Sequence, residues 1–182
     1  MTRSKLTVIH VPRLFLMLGS LILSGCGGSG SDDPLRSSSD LNVALSGTAS
    51  ADFDDANAGL VNDGITASAS YWAGNALNDA VEIDFGELKD VSEIRVYTNK
   101  TSYDAMNPEL RIELSVNGAS WLSTAQPAAT GADLECSTYS SNADRIGCVL
   151  ANRIDVQYVR VRTINASNPG SVFISEIQVF GR

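Results

Sequence analysis

The sequence predicts an all-β fold, because its apolar residues recur at every second position along several short segments. Val81, Ile83 and Phe85 alternate with acidic residues, and the segment Leu110–Val116 alternates in the same way. A period of two places one side of a segment in a core and the other in solvent, as in a β-strand. No window of the chain has the longer repeat of a long amphipathic helix.

Two further segments, at 94–97 and 159–162, show the same alternation of apolar and polar residues. The Asn-Gly dipeptide at 117–118 lies between Leu110–Val116 and Trp121–Thr124 and predicts a hairpin there. Many short strands with turn signals between them indicate a β-sandwich or a barrel.

The first 26 residues have the pattern of an export signal. Three basic residues precede the apolar run Leu14–Leu23, which is too short to span a membrane as a permanent helix. The run ends in Leu-Ser-Gly-Cys26, similar to a bacterial lipobox, in which the cysteine is lipidated and becomes the new N-terminus. The alternative is an ordinary signal peptide with an incidental cysteine.

Residues 27–40 are rich in Gly, Ser and Asp and read as a flexible tether, because they contain too little apolar surface to fold. We therefore divide the chain into a lipoprotein signal peptide (1–26), a tether (27–40) and one domain (41–182). Gly27, and not Asp, follows the cysteine. In enterobacterial-type sorting this favours the outer membrane or cell surface over the inner membrane.

The charge of the chain excludes some partners. The chain has 13 basic and 21 acidic residues, and the leader contains three of the basic ones. The remainder therefore has 10 basic and 21 acidic residues, a net charge of about −11. Such a charge repels phosphate backbones and anionic lipids, so we expect no nucleic-acid partner and membrane attachment through the lipid anchor alone.

Beyond Cys26, the chain contains two cysteines, Cys136 and Cys148. An even pair in an exported protein indicates one disulfide. Free or metal-binding cysteines are the alternative, although two ligands alone make a poor zinc site.

The residues of the domain do not predict an enzyme. The single histidine, His10, lies in the leader, which excludes histidine-dependent triads and histidine-ligated metals from the domain. Paired carboxylates could serve a hydrolase, but we expect most of the acidic residues to lie at strand ends or on solvent-facing sides of the strands. No phosphate-binding loop, nucleophile elbow or dinucleotide fingerprint is present.

Five short motifs occur in a characteristic order: Asn42–Leu45, Gly59–Gly64, Tyr71-Trp72, Val81–Gly86 and Ile174–Gly181. Their order and spacing resemble the discoidin family of coagulation factor 5/8 type C domains, which are galactose-binding-like. This family includes the carbohydrate-binding modules of family 32 and the fucose lectins. The resemblance implies an antiparallel jelly-roll β-sandwich and a binding module with no catalytic activity.

The resemblance also implies a structural Ca²⁺ ion, which takes several oxygen ligands. The matching positions are Asp63, the carbonyls of Leu60 and Ile65, Ser68, Ser175 and Glu176. Ile65 departs from the family pattern, where a polar Asn or Asp often stands. Without a metal, Asp63-Gly64 would be a simple turn and Glu176 a carboxylate at a strand edge.

A sugar site needs a flat aromatic ring and fixed polar groups. In family 32 these come from loops at one end of the sandwich. The candidate ligand-binding residues in the corresponding loops are Phe53, Tyr71, Asn75, Asn99, Lys100, Tyr103 and Asn107. The family's frequent sugar-contacting histidine is absent, as is the fucose-lectin set of one His and two Arg. Each candidate could therefore be a bystander, and we expect Trp72 to belong to the core.

These observations predict a lipid-anchored, non-catalytic module that binds a glycan or glycoconjugate at the bacterial cell envelope. The alternative is a protein-binding or adhesion module of the same fold, whose loops contact an envelope protein. An enzyme is disfavoured, because no convergent catalytic set is present.

Overall fold

The computed structural model describes residues 39–67, 69–74, 78–98, 110–125, 134–142, 145–164 and 172–182. The predicted leader and nearly all of the predicted tether lie outside these residues. The described elements are β1 (Leu41–Asn42), η1 (Val43–Ser46, a 3-10 helix), β2 (Thr48–Ala51), η2 (Asp55–Asn62, also 3-10), β3 (Trp72–Gly74), β4 (Ala80–Thr98), β5 (Leu110–Ser115), β6 (Leu122–Ala125), β7 (Leu134–Asn142), β8 (Arg145–Thr163) and β9 (Val172–Gly181). In this part of the chain, no helix has the length and apolar character needed to cross a membrane.

Two strands of 19 residues, β4 and β8, form the frame of the domain. They pair antiparallel along most of their length, and their register shifts between Asp84 and Lys89 and again between Val91 and Glu93. Such irregularities bend strands, and here they let one strand run through two layers. The sequence pattern separated β4 into two strands, because the linking residues 86–90 do not alternate.

The strands form two layers, which we call sheet I and sheet II. Sheet I contains β2, β5, β6, the first part of β4 and the last part of β8. Sheet II contains β1, β3, β7, β9, the last part of β4 and the first part of β8. The predicted all-β sandwich is confirmed, and all but one of the described strand pairs are antiparallel, as predicted.

The exception is β6, which pairs in parallel with β7 through Thr124 and Leu134. The predicted hairpin between β5 and β6 is present, but β5 ends one residue earlier than predicted, at Ser115, and β6 begins one residue later, at Leu122. Gly118 adopts a φ of +69°, and the side chain of Asn117 accepts hydrogen bonds from the backbone NH groups of Ala119 and Ser120. The connection is thus a loop of residues 116–121 held by an asparagine side chain.

The core lies between the two layers. Alternate residues of the predicted strands supply it, including Val81, Ile83, Ile94 and Val159, all fully buried. The largest fully buried side chain is that of Trp72, which confirms its expected place in the core.

Cys136 and Cys148 are joined by a disulfide, as the even number of cysteines beyond Cys26 predicts. It links β7 to β8, where Cys148 lies opposite Tyr139 in the strand register. Both cysteines are buried and belong to the core.

The strand register defines two ends of the domain. At the terminal end, Leu41 lies opposite Gly181. At the loop end, Gly74 lies opposite Val172. Because these positions are nine residues apart along β9, the ends are separated by about 30 Å.

Candidate functional site

The sequence-predicted calcium loop follows η2 and packs against β9. Gly64 has a φ of +85°, a conformation that side-chain-bearing residues rarely adopt, so the loop turns sharply after Asp63. The carboxylate of Asp63 accepts hydrogen bonds from the backbone NH of Ile65 at 2.8 Å and from the Ser70 hydroxyl at 3.0 Å. These bonds fix the carboxylate and connect it to the residue before Tyr71.

Glu176 of β9 is completely buried beneath this loop. One of its carboxylate oxygens, Oε2, accepts a hydrogen bond from the backbone NH of Gly64 at 3.1 Å. The other oxygen, Oε1, is buried and has no hydrogen-bond partner among the described residues. The pKa of Glu176 is raised to about 7, mainly by burial and also by the nearby Asp63 carboxylate, against the opposing effects of the Gly64 NH and the Asn42 side chain.

A buried carboxylate oxygen without a partner, close to a second carboxylate, is the arrangement that a bound cation would satisfy. The residues therefore fit the calcium ion that the resemblance implies. The described residues contain no group of three or more His, Cys, Asp or Glu side chains that could hold a metal. Other ligands would have to be backbone carbonyls and hydroxyls, which are common in Ca²⁺ shells.

The remaining predicted ligands are placed as follows. Leu60 lies in η2 and Ile65 directly follows the turn, so both flank Asp63 in the chain. The Ser175 hydroxyl donates a hydrogen bond to the carbonyl of Thr66 at 3.3 Å, which ties β9 to the same loop. Ser68 lies outside the described residues.

The predicted aromatic residues Phe53 and Tyr71 are both exposed, at 44% and 38%. The backbone of Phe53 is fixed, because its carbonyl accepts a hydrogen bond from the indole NH of Trp72 at 2.6 Å. Trp72 points into the core and its neighbour Tyr71 toward solvent, as the alternation of an extended chain requires.

Tyr71 packs edge-on against Phe173, with ring centroids 4.8 Å apart and planes at 78°. Phe173 is half-buried and lies near the start of β9, opposite Ala73. Sequence reasoning missed this residue. The sequence pattern could have predicted an outward-facing Phe173, because it lies between Val172 and Ile174, which are buried. In a strand, alternation directs the residue between two buried ones away from the core.

The other predicted ligand-binding residues lie outside the described residues: Asn75, Asn99, Lys100, Tyr103 and Asn107.

The second tryptophan of the chain, Trp121, has a structural role. The guanidinium carbon of Arg160 lies 3.7 Å from the centroid of Trp121, and the indole NH donates to the carbonyl of Gly118 at 3.2 Å. One face of this ring is therefore covered.

The fold resembles that of solved carbohydrate-binding modules. CpGH89CBM32-6 of Clostridium perfringens superposes with a TM-score of 0.58 at 19% identity, over 78% of this chain and 100% of that one. Chitosan-binding module 1 of a Paenibacillus sp. IK-5 chitosanase/glucanase gives 0.57 at 17% identity, over 77% and 98%. CpGH89CBM32-4 of Clostridium perfringens, in complex with GlcNAc-alpha-1,4-galactose, gives 0.56 at 15% identity, over 84% and 99%.

No protein-family model and no curated protein sequence matches the chain. The structural matches confirm the predicted discoidin and family 32 resemblance at the level of the fold. At these sequence identities, the similarity establishes architecture and leaves function to be argued from the residues themselves.

Proposed function

We propose that this protein is a non-catalytic carbohydrate-binding module, held at the bacterial cell envelope by a lipid on Cys26. The observation that carries the proposal is the aromatic pair of the exposed Tyr71 and the half-buried Phe173 at the loop end of the domain. Aromatic rings stack on the apolar faces of sugars, so such a pair is suited to contact a sugar ring.

The aromatic pair is well suited to binding, because its position is fixed before a ligand arrives. Phe173 supports the Tyr71 ring from its edge. Ser70 is hydrogen-bonded to Asp63, so the backbone that carries Tyr71 is tied to the turn after η2. A ring that is already ordered loses little conformational entropy on binding.

A Ca²⁺ ion would strengthen this arrangement. In our proposal, Asp63 and Glu176 supply its carboxylate ligands, and the carbonyls of Leu60, Ile65 and Ser175 with the hydroxyl of Ser68 are the remaining candidates. The ion would neutralise two neighbouring acidic groups and hold the loop against β9. Its contribution would be structural, since it fixes the segment that continues into Tyr71.

The similar solved structures support a sugar ligand without defining it. One is a complex with GlcNAc-alpha-1,4-galactose and another is described as a chitosan-binding module. Sugar binding by single sites of this kind is weak, and many anchored copies on one surface would compensate through multivalency.

A glycan array probed with the full-length chain in detergent tests the proposal. For any glycan bound, Tyr71→Ala and Phe173→Ala should each weaken binding at least tenfold in calorimetry. The matched control is Leu88→Ala, which removes an exposed apolar side chain from the turn between the two halves of β4. Parental binding by both aromatic variants would contradict this site.

The protein-binding alternative makes the opposite prediction. It would be supported if a purified envelope protein bound the chain in a Tyr71-dependent manner while no glycan on the array did. Binding of array glycans that depends on Tyr71 would exclude it as the main role of this surface.

A further inference from the structure

A small cavity lies on the outer surface of sheet I, and none of its described lining residues belongs to the calcium loop. Its volume is about 130 Å³, and its lining residues are Ser50, Ala51, Asp52, Ala80, Glu82 and Arg160. Glu82 and Arg160 lie opposite each other on β4 and β8. Their chain neighbours Val81, Ile83, Val159 and Val161 are fully buried, so these two polar side chains project from the outer face.

The cavity lies where a small residue, Ala80, is surrounded by residues with longer side chains. Ala80 pairs with Arg162 on β8, and its methyl group leaves unfilled the space that a larger side chain would occupy. The neighbouring positions Glu82 and Arg160 form walls on either side of this gap. The described lining residues include no aromatic ring, so a ligand in this cavity would be held by hydrogen bonds and charge.

The rim of the cavity is held in place by backbone contacts. The NH of Asp52 donates to the carbonyl of Ala80 at 3.0 Å, and the NH of Ala51 donates to the Asp55 carboxylate at 2.9 Å. The carbonyl of Phe53 is bound by the Trp72 indole. Asp52 therefore sits on a segment that is fixed on both sides.

The cavity carries an excess of negative charge. Asp52 and Glu82 contribute two carboxylates, and Arg160 contributes one guanidinium. The Arg160 Nε already donates to Glu113 at 2.5 Å, and its guanidinium lies over Trp121. Burial raises the pKa of Glu82; Arg160 opposes this rise, whereas Asp84 and Asp52 add to it. A cationic ligand would relieve the repulsion among these carboxylates.

We propose that this cavity is a second sugar site, which binds an amino sugar through its free ammonium group. Asp52 and Glu82 would accept hydrogen bonds from the ammonium, and the Ser50 hydroxyl and Arg160 guanidinium would contact ring hydroxyls. A lysine side chain or polyamine is a poorer fit, because only the methyl groups of Ala51 and Ala80 could cover its methylenes. The inference rests on the proposed function in that the ligand is a sugar.

The test is calorimetric titration of the full-length chain in detergent with a glucosamine trisaccharide. We expect saturable binding that Glu82→Gln and Asp52→Asn each weaken at least tenfold. Glu87→Gln is the matched control, because it removes an exposed carboxylate of the same strand outside the cavity. All three variants should unfold at the parental temperature, which separates loss of binding from loss of folding.

Two further ligands and one variant complete the design. The N-acetylated trisaccharide should bind at least tenfold more weakly, and a trilysine peptide should not compete. Tyr71→Ala should retain glucosamine binding, because it leaves the cavity intact. Parental affinity in both carboxylate variants, equal binding of the acetylated sugar, competition by trilysine or loss of binding in Tyr71→Ala would each overturn the proposal.

The two proposals can fail separately. If the parent binds array glycans through Tyr71 but shows no affinity for the glucosamine trisaccharide, the second site is wrong and the proposed function stands. If no array glycan binds in a Tyr71-dependent manner, while binding of the glucosamine trisaccharide depends on Glu82, the loop-end site is wrong. The proposed sugar site in the cavity then stands.

Discussion

The buried carboxylate of Glu176 accepts a hydrogen bond from the backbone NH of Gly64, a residue 112 positions earlier in the chain. This contact joins the last strand to the turn after η2. It leaves Oε1 of Glu176 buried with no partner in the described part of the chain.

Calcium should stabilise the fold. A ligand that binds only the native state adds about 2.7 kcal/mol at a concentration one hundred times its dissociation constant. We expect the melting temperature to rise with Ca²⁺ and fall with a chelator, and expect Asp63→Asn or Glu176→Gln to abolish the response. Glu87→Gln should respond as the parent does. An unchanged melting temperature in chelator, with no calcium in the purified protein, would count against the site.

Stability without metal should depend on pH. The pKa of Glu176 is about 7 in the folded chain, whereas its ordinary value is 4.5. Between these values the folded state retains a proton that the unfolded state has released. Stability should therefore decrease as pH rises through this range, by roughly 3 kcal/mol, and level off above pH 7.

Urea unfolding in chelator across this pH range measures the effect. The Glu176→Gln variant cannot titrate at this position, so its stability should change less steeply with pH than that of the parent. Identical slopes in the two proteins would refute the assignment of the raised pKa to Glu176.

Arg153 should be essential for stability at the terminal end. Its guanidinium donates to both carboxylate oxygens of the buried Asp40, at 2.9 and 3.1 Å, and to the carbonyl of Asp90 at 2.6 Å. Hydrogen bonding to Asp40 raises the pKa of Arg153. Arg153→Met would remove both guanidinium hydrogen bonds from the buried Asp40 carboxylate, and breaking a buried ion pair costs about 3–5 kcal/mol.

Arg182→Met is the matched control for this prediction. Arg182 is mostly exposed and forms an ion pair with Asp90 at 2.9 Å, so its loss should cost at most about 1 kcal/mol. Both free energies come from urea unfolding. Equal small losses in the two variants would show that Asp40 does not depend on Arg153.

Cys26 should carry the membrane anchor. Cys26→Ser should release the protein from membranes or block its maturation, because stable attachment depends on the acyl chains. Membrane fractionation of cells producing the variant measures this, with Cys136→Ser as a control that retains Cys26. A Cys26→Ser protein as firmly bound to membranes as the parent would contradict the lipid anchor.

Local patterns in the sequence were sufficient to predict the fold class. The alternation of Val81 and Ile83 with acidic residues assigns each side chain to a face, because strand geometry has a period of two. The even number of cysteines beyond Cys26 likewise indicated the disulfide. These inferences succeed because each depends on neighbouring residues or on simple counting.

Tertiary structure alone decided which distant residues meet. Phe173 packs against Tyr71, although about one hundred residues separate them in the chain, and Glu176 lies beneath Gly64. The space over Ala80 becomes a cavity only when β2 and β8 flank β4. The bends in β4 and β8 and the parallel pairing of β6 with β7 were also not predictable from periodicity. Such contacts depend on how complete layers pack, and the periodicity of one segment contains no information about its distant partners.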